Sequence, residues 1–186
     1  MKSRTNERVV LLVMVAILLT LTPACEKNEE TLFIGQSYQG GIIGYLLQKG
    51  DPGFEKRQQH GLIVAPYDQT PAVWGCHGLK IVTSMEIGTG RSNTSSILNA
   101  CQESGIAARV CDVLVLGGYD DWYLPSDAEL IMICTNKSHI GGLSGIYWTS
   151  SESSGENWYA WNMEDYCSGG TDTRQTVRNV RAIRSF

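Results

Sequence analysis

The sequence lacks the short motifs by which many enzymes and metal sites are recognised. It contains three histidines, and none of His60, His77 and His139 lies in a metal-binding pattern such as H-E-x-x-H. It has no G-x-S-x-G nucleophile elbow, no glycine-rich phosphate loop and no C-x-x-C pair. The sequence therefore predicts no catalytic residue, no metal site and no cofactor.

Charged residues are also few, and basic residues are outnumbered. Charged residues form 18% of the chain against 42% hydrophobic residues, which is typical of a folded domain and excludes an acidic solvating chain. With 15 basic and 19 acidic side chains the formal net charge is −4, so no nucleic-acid partner is expected. Five prolines against 20 glycines favour a loop-rich α+β or β fold over a helical bundle, and 186 residues predict one domain.

The apolar segment near the N-terminus is too short to span a membrane. Val9–Leu21 has 13 residues. As a helix they measure about 20 Å, short of the roughly 30 Å hydrocarbon core of a bilayer. Basic residues precede this segment at Lys2, Arg4 and Arg8. A basic start followed by a short apolar segment is typical of a signal peptide.

The residues that follow indicate a lipid anchor. Leu21-Thr22-Pro23-Ala24-Cys25 resembles a bacterial lipobox, which is cleaved before a cysteine that then carries lipid. It departs from the pattern because the apolar residue stands four positions before the cysteine instead of three. We expect a signal peptide over residues 1–24 and an outer-membrane lipoprotein anchored to the membrane through Cys25. Plain secretory cleavage, which would leave an ordinary cysteine there, is the alternative.

Residues 25–34 are expected to form the lipidated cysteine and a polar tether. The acidic residues within Glu26–Glu30 resemble the surface-export signal of some Gram-negative lipoproteins, and a solvated linker is the alternative. Removing residues 1–24 takes away three basic side chains and one acidic one, which leaves 12 basic and 18 acidic side chains, a net charge of −6. The sequence places the protein in the cell envelope and leaves its exposure at the cell surface open.

The remaining cysteines are odd in number. With Cys25 acylated, an oxidising envelope allows disulfides among the other five but leaves at least one thiol unpaired. Cys111 and Cys134 fall on apolar positions of predicted helices, where a buried thiol acts as a small hydrophobic side chain. The sequence does not give the pairing. The five are Cys76, Cys101, Cys111, Cys134 and Cys167.

The body of the chain predicts strands, then helices, then strands. Residues 38–47 and 61–66 are apolar runs of strand length separated by a charged loop, and they predict a hairpin. Residues 67–93 have an irregular pattern, with Trp74-Gly75-Cys76 as the expected buried anchor. Later apolar runs predict strands over residues 146–151, 157–163 and 177–186.

Two helices are predicted between these strands, and a third begins at a capping box. The first covers about residues 94–102. The second starts near Ile106 and ends at Gly117-Gly118. Its buried face follows the i, i+3, i+4 spacing and contains Ala107, Val110, Cys111, Leu114 and Val115. The third begins at Ser126, whose hydroxyl can cap the first amides while Glu129 reaches back to the amide of the cap.

One segment resembles the signature of a bacterial domain family. Residues 118–130, Gly-Tyr-Asp-Asp-Trp-Tyr-Leu-Pro-Ser-Asp-Ala-Glu-Leu, resemble the pattern GYxDWxLPSxxEL of the family related to the C-terminal domain of the Legionella collagen-like adhesin. Further segments resemble that family in order across residues 35–186. They are Gly40–Ile43, His60–Ile63, Trp74–Cys76, Gly88–Gly90, Ala107–Cys111, Tyr147–Glu152 and Val180–Phe186.

This resemblance implies an α+β, C-type-lectin-like domain over residues 35–186, distantly similar to formylglycine-generating enzymes. It implies a small antiparallel sheet in which N- and C-terminal strands pair, together with two to three helices and long loops. The adhesin domain of the family recognises sulfated glycans. The resemblance therefore implies a ligand-binding role.

Sulfated ligands are nevertheless not favoured for this chain. Binding a polyanion requires clustered cations, whereas the chain without residues 1–24 carries a net charge of −6. Its basic stripe is expected to pair internally with carboxylates, Arg181 and Arg184 above all. The stripe consists of Arg174, Arg178, Arg181 and Arg184.

The segment Glu152–Asp172 is the better candidate for a binding site. Aromatic faces can stack on sugar C–H surfaces while amides and carboxylates bind the hydroxyls. Trp158 and Trp161 lie three apart, which in a strand places them on opposite faces, so we expect one in the core and one exposed. The predicted ligand-binding residues are Glu152, Asn157, Trp158, Trp161, Asn162 and Asp165.

No calcium site is expected in this segment. Trp161-Asn162 resembles part of the calcium motif of true C-type lectins, but Met163 stands in place of the aspartate and the Glu-Pro-Asn partner motif is absent. We expect a lipid-anchored envelope module for binding or adhesion, recognising a glycan or another surface ligand. One alternative is an envelope enzyme on a formylglycine-generating-enzyme-like scaffold, with Cys134 and Cys167 as its thiols. Another is a structural surface-assembly protein without a small ligand.

Overall fold

The described chain runs from strands through helices back to strands, as the sequence predicts. The structure is a computed structural model that describes residues 31–153, 159–163 and 167–186, with residues 159–162 described by their backbone alone. The predicted signal peptide, Cys25 and most of the tether lie outside the described residues. The elements are β1 Ser37–Tyr38, β2 Gly41–Leu46, β3 Gly61–Val64, β4 Gln69–Val73, α1 Gly90–Ala100, α2 Ala107–Asp112, α3 Asp127–Thr135, α4 Lys137–Ile140, β5 Tyr147–Glu152, β6 Tyr159–Met163, β7 Gly169–Thr173, β8 Val177–Val180 and β9 Ile183–Ser185.

The first sheet joins strands from the beginning and the end of the described chain. Its order is β1-β2-β3-β9, and every neighbouring pair is antiparallel. The predicted hairpin is β2 and β3, in which Ile42 lies opposite Val64. The strand β9 pairs with β3, where Ile63 lies opposite Arg184. The α+β class and the small antiparallel sheet with strands at both termini are confirmed.

The second sheet has the order β4-β8-β5-β6-β7. Its neighbours are antiparallel except β5 and β8, which run parallel where Tyr147 lies opposite Asn179. The central strand β5 is buried along nearly its whole length. The strand β7 lies at one edge and alternates exposed with half-buried residues. The sheet therefore has a buried centre and an accessible edge.

Two strands of the second sheet lie where no strand is predicted. β4 falls in residues 67–93, which have no regular apolar pattern. It contains Pro71, and its pairing with β8 has a register shift between Gln69 and Ala72. An edge strand tolerates both features, since one side of its backbone needs no partner. β7, Gly169–Thr173, has no apolar run to reveal it. The single strand predicted over 177–186 is divided into β8 and β9, which belong to different sheets.

Helix α2 is shorter than predicted. It ends at Asp112, and the chain then enters a tight turn in which Leu116 and Tyr119 exchange backbone hydrogen bonds. Gly117, with φ of +64°, packs against Gly40 so closely that a Cβ would collide with the backbone. Val115, predicted on the buried face, is consequently 71% exposed. Among the described residues no helix is both long enough and apolar enough to cross a bilayer.

The predicted capping box opens α3. The Ser126 hydroxyl accepts the N–H of Glu129 at 3.3 Å, and the Glu129 carboxylate accepts the N–H of Ser126 at 2.8 Å. Both residues are fully buried, so the box also joins the helix to the core. It satisfies two amides that have no partner within the helix.

The main core lies between α1, α2 and the sheets, and tryptophans connect its parts. Trp74 is buried as predicted and donates its indole N–H to the Thr149 carbonyl at 2.9 Å. Trp148 donates in turn to the Ala72 carbonyl at 3.1 Å. Each ring thus contributes a large apolar surface, and the two hydrogen bonds tie β5 to β4 and to the residue that follows it.

Four of the described cysteines form two disulfides, Cys76–Cys101 and Cys134–Cys167. Cys111 remains unpaired and buried on α2, as expected for a thiol that acts as a hydrophobic side chain. The same expectation is wrong for Cys134, whose position on an apolar helix face also allows a bond to Cys167. Helical periodicity reports burial and does not show where a distant cysteine lies.

Candidate functional site

The described parts of the predicted binding segment are the end of β5, the strand β6 and the edge strand β7. Glu152 ends β5, and the backbones of Trp161 and Asn162 lie in β6, opposite Thr171 and Gly170 of β7. The structure thus brings these three positions onto one sheet. The other predicted ligand-binding residues, Asn157, Trp158 and Asp165, lie outside the described residues.

Glu152 is held within the protein on one side of this segment. Its carboxylate pairs with Arg174 and accepts the N–H of Ile81 at 3.2 Å. The guanidinium of Arg174 is fully buried, stacks on the Trp74 ring at 4.3 Å and donates to the Leu79 carbonyl at 2.8 Å. Burial lowers the pKa of Arg174, and the Glu152 carboxylate opposes that effect. The pair fixes the end of β5 against the loop that follows β4.

The basic stripe pairs with carboxylates, as the sequence predicts for Arg181 and Arg184. Arg181 donates to Asp68 at 2.6 Å, and Arg184 donates to Asp121 at 2.6 Å. The other two arginines of the stripe, Arg174 and Arg178, pair with Glu152 and Asp172. The four guanidinium groups are therefore joined to carboxylates of the same domain.

The Cys134–Cys167 disulfide holds the other side of the binding segment. It connects α3 to the residue that stands two positions before β7. Cys134 is buried in a small core with Leu130, Tyr147 and Met163. Together with the Glu152 pair, this bond fixes the segment at two positions, Glu152 and Cys167.

A second concavity, here called the His60 cleft, lies against the first sheet. It has a volume of about 420 Å³ and lies between the β2–β3 loop, the end of β9 and the first turn of α1. This volume falls within the range of small-molecule sites, roughly 300–1,000 Å³. Its lining includes the side chains of Glu55, His60, Leu62, Ile87, Arg91 and Phe186.

The cleft is formed by sheet pairing and an ordered loop. Gly61 and Phe186 exchange backbone hydrogen bonds, which place the start of β3 beside the residue that follows β9. In the loop after β2, the Asp51 carboxylate accepts the Tyr45 hydroxyl and the Gln48 N–H, both at 2.7 Å. Burial and this carboxylate raise the pKa of Tyr45 to about 12. These contacts order the loop without a ligand.

Arg91 supplies the anchored cation of the cleft. It lies over the Tyr123 ring at 5.0 Å and donates to Asp121 at 3.1 Å. Asp121 also accepts from Arg184. Burial alone would raise the pKa of Asp121, but the guanidinium groups of Arg184 and Arg91 hold it below its usual range. A carboxylate that stays ionised keeps Arg91 in place on the cleft wall.

Sequence reasoning did not find this cleft. In the sequence His60 lies in no metal-binding pattern and belongs to the segment His60–Ile63 that resembles the adhesin-related family, and neither feature indicates a cleft. Its contact with Phe186 joins residues 126 positions apart. Only the pairing of β3 with β9 creates that contact, so no local signal could have revealed it.

Two comparisons with known proteins were without a match. No family model matches the chain, and a search of curated proteins finds no match. The resemblance of residues 118–130 and the segments around them to the adhesin-related family therefore stays a prediction from the sequence. The functional argument rests on the residues themselves.

Proposed function

We propose that the chain is a binding or adhesion module of the cell envelope, anchored to the membrane by lipid on Cys25. It recognises a glycan or another surface ligand through the segment Glu152–Asp172. The anchor is inferred from the lipobox-like sequence, and the ligand class from the aromatic, amide and carboxylate composition of the segment. Surface exposure would follow from the acidic tether.

One observation carries this proposal. The described parts of the segment include the edge strand β7 of the second sheet, and the segment is fixed at Glu152 by the pair with Arg174 and at Cys167 by the disulfide with Cys134. A ligand platform benefits from such a base, because a surface held in place loses less conformational entropy on binding. Aromatic side chains in the segment provide the contact area that sugars and protein ligands require.

The enzyme alternative would use Cys134 and Cys167 as reactive thiols. They are bonded to each other, and Cys134 is buried beneath β5 and β6. A buried disulfide at the base of a segment is well suited to hold that segment in place. We therefore assign the pair a structural role within the proposed binding module, and its removal should reduce stability and ligand binding together.

A glycan array probed with the purified protein tests the proposal, once with calcium and once with a chelator. We expect saturable binding that calcium does not alter. Trp158→Ala and Trp161→Ala are the informative variants, and Tyr67→Ala is a matched control because Tyr67 is an exposed aromatic residue outside the segment. Binding should be lost in one tryptophan variant whose circular dichroism stays native.

Two results would contradict the proposal. One is binding that survives both tryptophan substitutions in folded protein. The other is unfolding of both variants combined with unchanged binding in Asn157→Ala and Asp165→Asn, since these polar substitutions test the same segment without removing a core side chain. A blank array would favour a protein ligand or an assembly role and would remove the glycan from the proposal.

A further inference from the structure

His60 presents a ring nitrogen without a hydrogen-bond partner to the His60 cleft. Its Nδ1 lies 3.0 Å from the Phe186 carbonyl oxygen, which can only accept, so Nδ1 carries a proton. Nε2 is shielded from solvent and has no hydrogen-bond partner among the described residues. A buried polar atom of this kind is normally satisfied, and a hydroxyl group, which both donates and accepts, can satisfy it.

Glu55 places a carboxylate beside this nitrogen. Its Oε1 lies 3.6 Å from Nε2 of His60, beyond hydrogen-bond distance and within the distance of an ion pair when the ring is protonated. A ring nitrogen and a carboxylate at this separation suit a ligand with two neighbouring hydroxyl groups, one hydrogen-bonded to His60 and one donating to Glu55. A vicinal diol of a sugar has that arrangement.

Arg91 faces the same cleft with donors to spare. Its Nη2 is bound to Asp121, while its Nε and Nη1 have no acceptor among the described residues. Stacking on Tyr123 holds the guanidinium in place. A guanidinium so placed favours a carboxylate, with which it makes charge-assisted hydrogen bonds.

The walls between these groups are apolar. Leu62, Ile87 and Phe186 line the cleft, and the Phe186 ring is fixed edge-on against Tyr38 at 5.2 Å between centroids. Such walls suit the C–H face of a sugar ring. We propose that the His60 cleft binds a polyhydroxylated carboxylate, a sugar acid, whose diol binds His60 and Glu55 and whose carboxylate binds Arg91. This site is separate from the segment Glu152–Asp172.

Isothermal titration of the purified full chain with D-glucuronate tests this proposal. The dissociation constant is expected on the order of 1 mM, as for other small polar ligands. D-glucose keeps the diol and lacks the carboxylate, so it should bind at least tenfold more weakly. Acetate keeps the carboxylate and lacks the diol, and it should give no measurable heat.

Substitutions separate the two ends of the ligand. Arg91→Gln should weaken glucuronate binding at least tenfold and leave the weak glucose signal unchanged. His60→Asn keeps a donor near the position of Nδ1 and removes Nε2, so it should weaken binding of both sugars. Glu55→Gln should act in the same direction. Arg57→Gln is the matched control, since Arg57 is an exposed arginine of the same loop that does not line the cleft.

The outcomes are distinct. Glucuronate binding that falls in the Arg91→Gln and Glu55→Gln variants, with melting temperatures unchanged, supports the site. Glu55 is 63% exposed, so its variant reports binding even if His60→Asn fails to fold. The proposal is overturned if glucuronate does not bind, if glucose binds as tightly, or if Trp161→Ala abolishes binding while Arg91→Gln leaves it intact. The last result would place the sugar acid on the segment Glu152–Asp172.

Discussion

The Glu129→Ala substitution should destabilise the protein strongly, although Glu129 is neither hydrophobic nor part of a proposed ligand site. Its carboxylate accepts the N–H groups of Ser126 at 2.8 Å and of Gly88 at 3.0 Å, and also that of Gly90. Ser126 and Gly90 are buried, so their amides would lose an acceptor without reaching water. Gly88 is exposed, and its amide can be rehydrated.

The magnitude follows from these contacts. An unsatisfied buried amide costs about 1–3 kcal/mol, and Glu129→Ala leaves two of them, those of Ser126 and Gly90. The Ser126 hydroxyl still accepts the backbone N–H of residue 129, so that half of the capping box remains. The expected loss in the free energy of unfolding is therefore about 2–6 kcal/mol, a large part of the roughly 5–15 kcal/mol of a typical domain. Urea unfolding followed by tryptophan fluorescence measures it as a shift of the midpoint at constant slope.

Asp127→Asn is the matched control, two positions earlier in the same helix turn. Its Oδ1 is buried without a hydrogen-bond partner among the described residues, and burial raises the pKa of its carboxyl. The substitution relieves the cost of that buried charge and loses a helix-dipole contribution of about 0.3–1 kcal/mol. We expect a change below about 1 kcal/mol. A Glu129→Ala loss no larger than that of Asp127→Asn would refute the reasoning.

Three further predictions concern the lipid anchor, an ion pair and the unpaired cysteine. Cys25→Ser should abolish incorporation of labelled palmitate and release the protein from the membrane fraction, and persistent labelling would contradict the anchor. Thermal stability should fall as the pH drops below about 4, because the pKa of Asp121 is held below its unfolded value of about 3.9 and protonation breaks its pair with Arg184. Asp121→Asn should flatten that part of the profile, and an unchanged profile would exclude the pair as its cause. In the Cys25→Ser background Cys111 should react with a thiol reagent only after denaturation, since burial shields the thiol and raises its pKa. Rapid labelling of native protein would show that the thiol is accessible.

The sequence predicts correctly those elements whose deciding interactions join residues close together along the chain. The capping box at Ser126 and Glu129 was found because its partners lie three residues apart and their chemistry is specific. The β2–β3 hairpin was found from two apolar runs on either side of a charged loop. In each case the deciding interaction lies within a short stretch of chain.

Elements that depend on distant partners were missed or only partly predicted. β4 is polar and contains a proline, and it is a strand only because β8 supplies a partner more than 100 residues later. Cys134 has the periodicity of a buried helix residue whether or not Cys167 lies beside it. The His60 cleft likewise depends on β3 and β9 meeting. The predicted binding segment was chosen by composition, and Glu152 is its one predicted side chain whose contacts the structure describes.

The pairing of β3 with β9 also determines when the first sheet can be completed during synthesis of the chain. Ile183–Ser185 form the last strand of the first sheet, and Phe186 closes the wall of the His60 cleft. While the chain emerges from the ribosome, Gly61–Val64 has no partner on that side until about 120 further residues have been synthesised. Contacts of such long sequence separation form slowly. If the predicted signal peptide directs export, this delay helps translocation, because the first sheet stays incomplete while the chain is being synthesised.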